Sequence, residues 1–127
     1  MIRSHHMNAL FTKEILQKYF DGINKGGWES LIADDIVFTN GGNRFTGKDA
    51  YVEALGRFLQ VAKSVEVKQL IVEGNHACAV ASYAVQSPTE KTGICEVAEV
   101  LFIRGGKIAS SSIYFDTVAF REFMARE

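Results

Sequence analysis

Residues 94–116 read ICEVAEVLFIRGGKIASSSIYFD. The pattern predicts two long strands joined at Arg104-Gly105-Gly106-Lys107, because a glycine pair supplies the positive φ angles a tight hairpin needs. In the first strand both alternating sets are largely apolar: Ile94, Ala98, Val100 and Phe102 on one face, Cys95, Val97, Leu101 and Ile103 on the other. A strand of that kind is central and covered on both sides. Glu99 interrupts the second set. A carboxylate buried among Val97, Leu101 and Ile103 costs several kcal/mol unless it is paired or protonated. Two readings follow. Glu99 is a pocket acid whose titration is moved toward neutrality by burial, or it is a structural carboxylate facing water or paired with Arg44, Arg57 or a lysine. The choice depends on register, since a slip of one residue turns every side chain over. Odd numbers are placed inward, because Ile113 and Phe115 are more apolar than Ser110, Ser112 and Tyr114.

The rest of the composition is that of one globular domain. The chain has 127 residues, 47% hydrophobic and 23% charged, with nine Phe and a net charge of −1. That length buries a single core. The absence of a basic block argues against nucleic acid or an anionic membrane as partner. No apolar run approaches the roughly 20 residues of a membrane span. The opening MIRSHHM is polar and has no secretory core. With Met7 as a candidate natural start, residues 1–7 are set aside as a disordered N-terminus and candidate vector remnant, leaving a domain of 8–127. Cys78 and Cys95 would lie far apart on a hairpin of residues 76–86 and 94–104, so they are expected as free thiols of a reducing cytoplasm. His5, His6 and His76 lack metal-ligand spacing, and no metal is expected. The sequence contains no nucleophile elbow of the GxSxG type.

In chain order, Phe11, Ile15, Leu16, Tyr19, Phe20 and Ile23 recur at helical spacing over Asn8–Asn24, and Gly26-Gly27 ends that helix. A short second helix is expected over Trp28–Ala33, with a break at Asp34-Asp35. Ile36–Asn40 reads as a strand stopped by Gly41-Gly42-Asn43. A third helix over Lys48–Ala62 presents Val52, Leu55, Phe58 and Leu59 on one stripe. Strands follow at Val65–Glu73 and His76–Gln86, then the organising pair. Asp116 caps a last helix over Thr117–Ala125. Helices first and then an antiparallel meander make an α+β pattern.

The phrases ILQKYFDGINKGGWESLIADDIVFTN, RFTGKDAYVEAL and VAEVLFIRGGKIASSSIYFD resemble the nuclear transport factor 2-like superfamily and, within it, the SnoaL-type polyketide cyclases. The resemblance implies a cone-shaped curved antiparallel sheet wrapped around the N-terminal helices, enclosing an apolar pocket on one side and forming a dimer interface on the other. The segment WESLIA is about a turn shorter than is usual there, which implies a wider pocket mouth. Similarity to ketosteroid isomerases implies an oxyanion hole from Tyr19 and Glu99, but their catalytic base falls on Asn40, which cannot take a proton. Similarity to limonene epoxide hydrolases puts their asparagine on Asn40 and their tyrosine on Phe38. Their charged residues fall near Val80, Ser82 and Ile113, so that hydrolysis is disfavoured. The acid/base of polyketide cyclases falls nearest to Asp116. The resemblance gives a pocket of Phe38, Phe58, Val80, Ser82, Val97, Leu101, Ile113 and Phe115, with Glu99, Tyr19 and Asn40 as the chemical group. A homodimer is expected through Val100, Phe102 and Tyr114 on the outer face. The resulting expectation is a small, mainly apolar ligand on which Glu99 moves a proton, held by Tyr19 and Asn40, without cofactor, as an isomerase or cyclase would. The alternative is a non-catalytic ligand-binding or dimerisation module.

Overall fold

The computed structural model describes residues 2–125, with side chains from residue 8 onward. Helix α1 (Ile2–Lys25) leads through a 3-10 turn (Trp28–Leu31) into strands β1 (Ile32–Asn40) and β2 (Asn43–Thr46). Helix α2 (Lys48–Phe58) then precedes β3 (Ala62–Glu73), β4 (His76–Gln86), β5 (Thr92–Arg104), β6 (Lys107–Tyr114) and the final helix α3 (Thr117–Met124). All six strands form one curved, unclosed sheet in the order β2-β1-β6-β5-β4-β3. Together with the helices this is the expected α+β architecture.

The expected meander runs from β3 to β6, antiparallel throughout. The sheet as a whole is mixed, however, because β1 pairs with β6 in parallel. The meander leaves one edge of β6 with unpaired backbone groups, and β1 satisfies them. Local patterning carries no record of that long-range closure. Strand β2 was also not anticipated. Gly41 and Gly42, at φ 57° and 89°, turn the chain back on β1 where a simple stop was expected. The short second helix is only a 3-10 turn, since Ile32 and Ala33 are buried at the start of β1 while Asp34 and Asp35 face solvent. Helix α2 ends at Phe58 and α1 begins at Ile2, where residues 1–7 had been set aside. His5 and His6 lie outside the described side chains.

Burial on β5 alternates without a break from Cys95 to Ile103, odd residues inward. A bulge at the Gly105-Gly106 end of the β5–β6 pair, between Phe102 and Ile103, accommodates Ala109. Beyond it Leu101 faces Ser111 and Glu99 faces Ile113, so the odd residues of both strands share the inner face where it matters for Glu99. The inner face of β4 is Ala77, Ala79 and Ala81, all buried, which gives α1 room to lie against the sheet. Helix α1 buries Thr12, Ile15, Leu16, Tyr19 and Phe20. Two polar contacts fix its position. Thr12 Oγ1 donates to the Gly74 carbonyl at 2.8 Å, and Asn24 exchanges hydrogen bonds of 3.1 and 2.8 Å with the backbone of Val65. Gly22 lets the following turn approach, since a Cβ there would lie 2.8 Å from the Trp28 backbone nitrogen. Among the described residues no helix is long and apolar enough to cross a membrane.

Candidate functional site

Between α1, α2 and the concave face of the sheet lies a cavity of about 80 Å³. One buried water needs roughly 10–15 Å³, so this space has the volume of several waters or one small ring. Its wall brings together residues from every layer. Tyr19 comes from α1, Phe38 and Asn40 from β1, Tyr51, Leu55 and Phe58 from α2, Tyr83 from β4, Cys95, Val97 and Glu99 from β5, and Ile113 from β6, with Phe115 just beyond it. The wall is almost wholly apolar or aromatic apart from Glu99, the tyrosine hydroxyls and Asn40. Asn40 is itself exposed and stands at the rim.

Glu99 is only 3% exposed. Its sole side-chain partner among the described residues is Ser111, whose Oγ donates to Oε2 at 2.8 Å. Among the described residues no Lys or Arg forms an ion pair with it: Arg57 is paired with Glu53 on the exposed side of α2, and Arg104 with Asp35. Burial therefore dominates its titration and pushes the carboxyl from 4.5 up to about 7, against a smaller lowering by the Ser111 hydrogen bond. Tyr19 and Tyr51 share a 2.6 Å hydrogen bond between their hydroxyls. Burial, and the proximity of Glu99, raise the pKa of Tyr19, Tyr51 and Tyr83 well above the ordinary tyrosine value. Near pH 7 the site thus holds neutral tyrosine donors beside a carboxyl present in both forms. That combination can give a proton to an oxygen or carbon of a ligand, or take one from it.

The expected residues divide by face. Tyr19, Phe38, Asn40, Phe58, Val97, Glu99, Ile113 and Phe115 meet at the cavity. Val80 and Ser82 do not. Glu99 faces Ala79 across the β4–β5 ladder, which sends the even residues of β4 to the opposite side, where Ser82 donates to Glu96. Tyr83 takes their place in the wall. Leu101, 1% exposed, belongs to the core and not to the cavity wall. Asp116 is outside the cavity and accepts from the Ala119 amide at 2.9 Å as the cap of α3. Cys78 and Cys95 are free, on opposite faces. Among the described residues no group of three His, Cys, Asp or Glu side chains could hold a metal.

Tyr51 and Ser111 were missed. The spacing Tyr51-Leu55-Phe58 is a usable helical signal for the buried side of α2, one residue off the stripe that begins at Val52. Ser111 sits within a serine triplet that reads as a polar strand end.

Glu99 also makes stability depend on pH. The folded chain holds its proton up to about pH 7, while the unfolded chain releases it near 4.5. The unfolded state therefore binds fewer protons in that window, and stability falls as pH rises through it, by about 3 kcal/mol in all. In thermal melts, Glu99→Gln should gain on the wild type steadily between pH 4.5 and 8. A difference that stays flat with pH would contradict the assignment.

The SnoaL-like domain family matches residues 16–111. No curated protein matches the chain. Among solved structures, it is similar to a protein named for its likeness to SnoaL-type polyketide cyclases from Jannaschia sp. CCS1, with a TM-score of 0.83 at 12% identity over 94% of each chain. It is also similar to TerC, co-crystallised with polyporic acid (TM-score 0.76, 20% identity, 90% of this chain and 98% of that one). A third is a candidate ketosteroid isomerase from Kribbella flavida DSM 17836 (TM-score 0.69, 19% identity, 86% of this chain and 80% of that one). At such identities the likeness is one of fold, and the family match spans most of the chain: this protein belongs to the SnoaL-like domain family, with the NTF2-like fold.

Proposed function

We propose that the cavity binds a small, mainly apolar carbonyl compound and that Glu99 moves a proton on it without a metal or organic cofactor. The observation that carries this reading is the buried Glu99 carboxyl, set in an apolar wall with no ion-pair partner among the described residues; burial pushes it up to about 7. Ionised, Glu99 takes a proton from the carbon next to the carbonyl. The electron pair moves to the carbonyl oxygen, where the Tyr19 hydroxyl, hydrogen-bonded to that of Tyr51, donates to the developing negative charge. Glu99 then returns the proton to a second carbon of the same ligand, which completes an isomerisation. Asn40 at the rim orients the ligand by hydrogen bonding. A carboxyl whose pKa lies at the working pH suits both halves of such a shuttle.

One observation favours the non-catalytic alternative. Asn40 stands where a second proton acceptor would be useful, and it cannot serve as one. The two readings separate on a one-ring substrate, 3-cyclohexenone, whose conjugation to 2-cyclohexenone is followed by ultraviolet absorbance. The catalytic reading expects Glu99→Gln to slow the reaction by about a hundredfold or more while leaving binding of the conjugated product nearly unchanged. An equal rate for wild type and variant would leave only the binding module.

The same proposal includes a homodimer through the outer sheet face and a cytoplasmic setting. Ile71, Ile94, Val100 and Tyr114 are 54%, 64%, 44% and 62% exposed there, and Phe102 packs on His76 at 4.8 Å. So much adjoining apolar surface calls for cover. Sedimentation should give a dimer that Val100→Asp converts to a folded monomer. A monomeric wild type at tens of micromolar would count against the dimer.

A further inference from the structure

Helix α3 is weakly anchored, burying none of its residues. Beneath it, against the ends of β4 and β5, runs a groove of about 420 Å³ whose walls include Val85, Gly93, Cys95, Glu96 and Phe120. Cys95 lines both this groove and the Glu99 cavity. Phe120 stands between them, its ring 6.0 Å from Phe58 and 5.9 Å from Phe115, both residues of the cavity wall. What holds α3 down is slight. Asp116 caps its start, and Phe123 rests on Gly93, where a Cβ would come within 2.9 Å of the ring, with the Lys91 ammonium 5.5 Å above it. Phe120 is half-buried at the edge of the core, so turning it aside gives up its contacts with Phe58 and Phe115, themselves only half-buried.

We infer that the groove under α3 is the second half of the ligand site, and that Phe120 determines the length of the ligand accepted. This rests on the small-molecule reading of the cavity and extends it. With Phe120 in place, the space at Glu99 admits a single ring. With Phe120 turned aside, cavity and groove join, and a flat molecule of several fused rings spans both, its reacting end at Glu99 and its far end under α3. Val85, Ile94, Cys95, Ala119, Phe120 and Phe123 give the groove a mainly apolar lining, so the far end is uncharged.

Two probes distinguish the possibilities: phenol, with one ring, and 9-phenanthrol, with three. Calorimetric titration of the full chain should show Phe120→Trp, which thickens the partition, weakening 9-phenanthrol by about tenfold or more, with phenol changed by less than about twofold. Phe120→Ala should tighten 9-phenanthrol. In amide NMR spectra of the wild type, 9-phenanthrol should shift Gly93 and Ala119, and phenol should not. If phenol binds and responds to Glu99→Gln while the Phe120 variants treat both probes alike, or Gly93 and Ala119 stay unmoved by 9-phenanthrol, the inference fails and the cavity reading stands. If neither probe binds the wild type, both fail together.

Discussion

A carboxyl with no counter-charge, held in an apolar enclosure, is the constraint around which the molecule is built. Burying an ionised Glu99 without a partner costs several kcal/mol, and the single hydrogen bond from Ser111 does not remove that cost. The protein meets it by letting the group remain protonated up to about pH 7. A purely structural position would be served better by leucine or methionine. Retaining an acid there gives up stability at neutral pH, which is common where a group is kept for its chemistry.

The fold supplies what such a group needs. A central strand carries Glu99 on its inward face, between alanine on β4 and isoleucine on β6. Helix α1 is pinned at mid-length by Thr12 and at its C-terminal end by Asn24, which fixes Tyr19 over the cavity. Helix α2 contributes Tyr51, and the hydrogen bond between the two hydroxyls ties the helices together at the site. The same scaffold hosts varied chemistry in structures of this fold, so function rests here on the residues of the cavity and not on the fold. The exposed Ile71, Ile94, Val100 and Tyr114 lie on the other face of the sheet, away from the site.

Much of this was legible in residues 94–116. The alternation there gave the hairpin, and the apolar Ile113 and Phe115 set its facing. The bulge at Ala109 lies near the turn and leaves the register at Glu99 untouched. Tyr19 was readable from helical spacing and from family likeness. What escaped depended on contacts between distant segments. Val80 and Ser82 were assigned to the pocket by analogy with relatives, and only the pairing of Ala79 with Glu99 shows that they face away. Tyr51 carries the right spacing, but its partner is a hydroxyl on another helix. The parallel closure of β1 on β6 and the exposed strand β2 have no local signature, since neither depends on an alternating apolar pattern.

The measurement that bears most directly on the central claim is the titration of Glu99 itself, followed by carbon-13 NMR of protein labelled at the glutamate side-chain carboxyl and assigned by comparison with Glu99→Gln. The account predicts that the Glu99 carboxyl has a midpoint near 7. A midpoint of about 4.3, the value of a solvated glutamate, would mean that Glu99 is hydrated or paired in solution, and the proton-shuttle reading would be wrong.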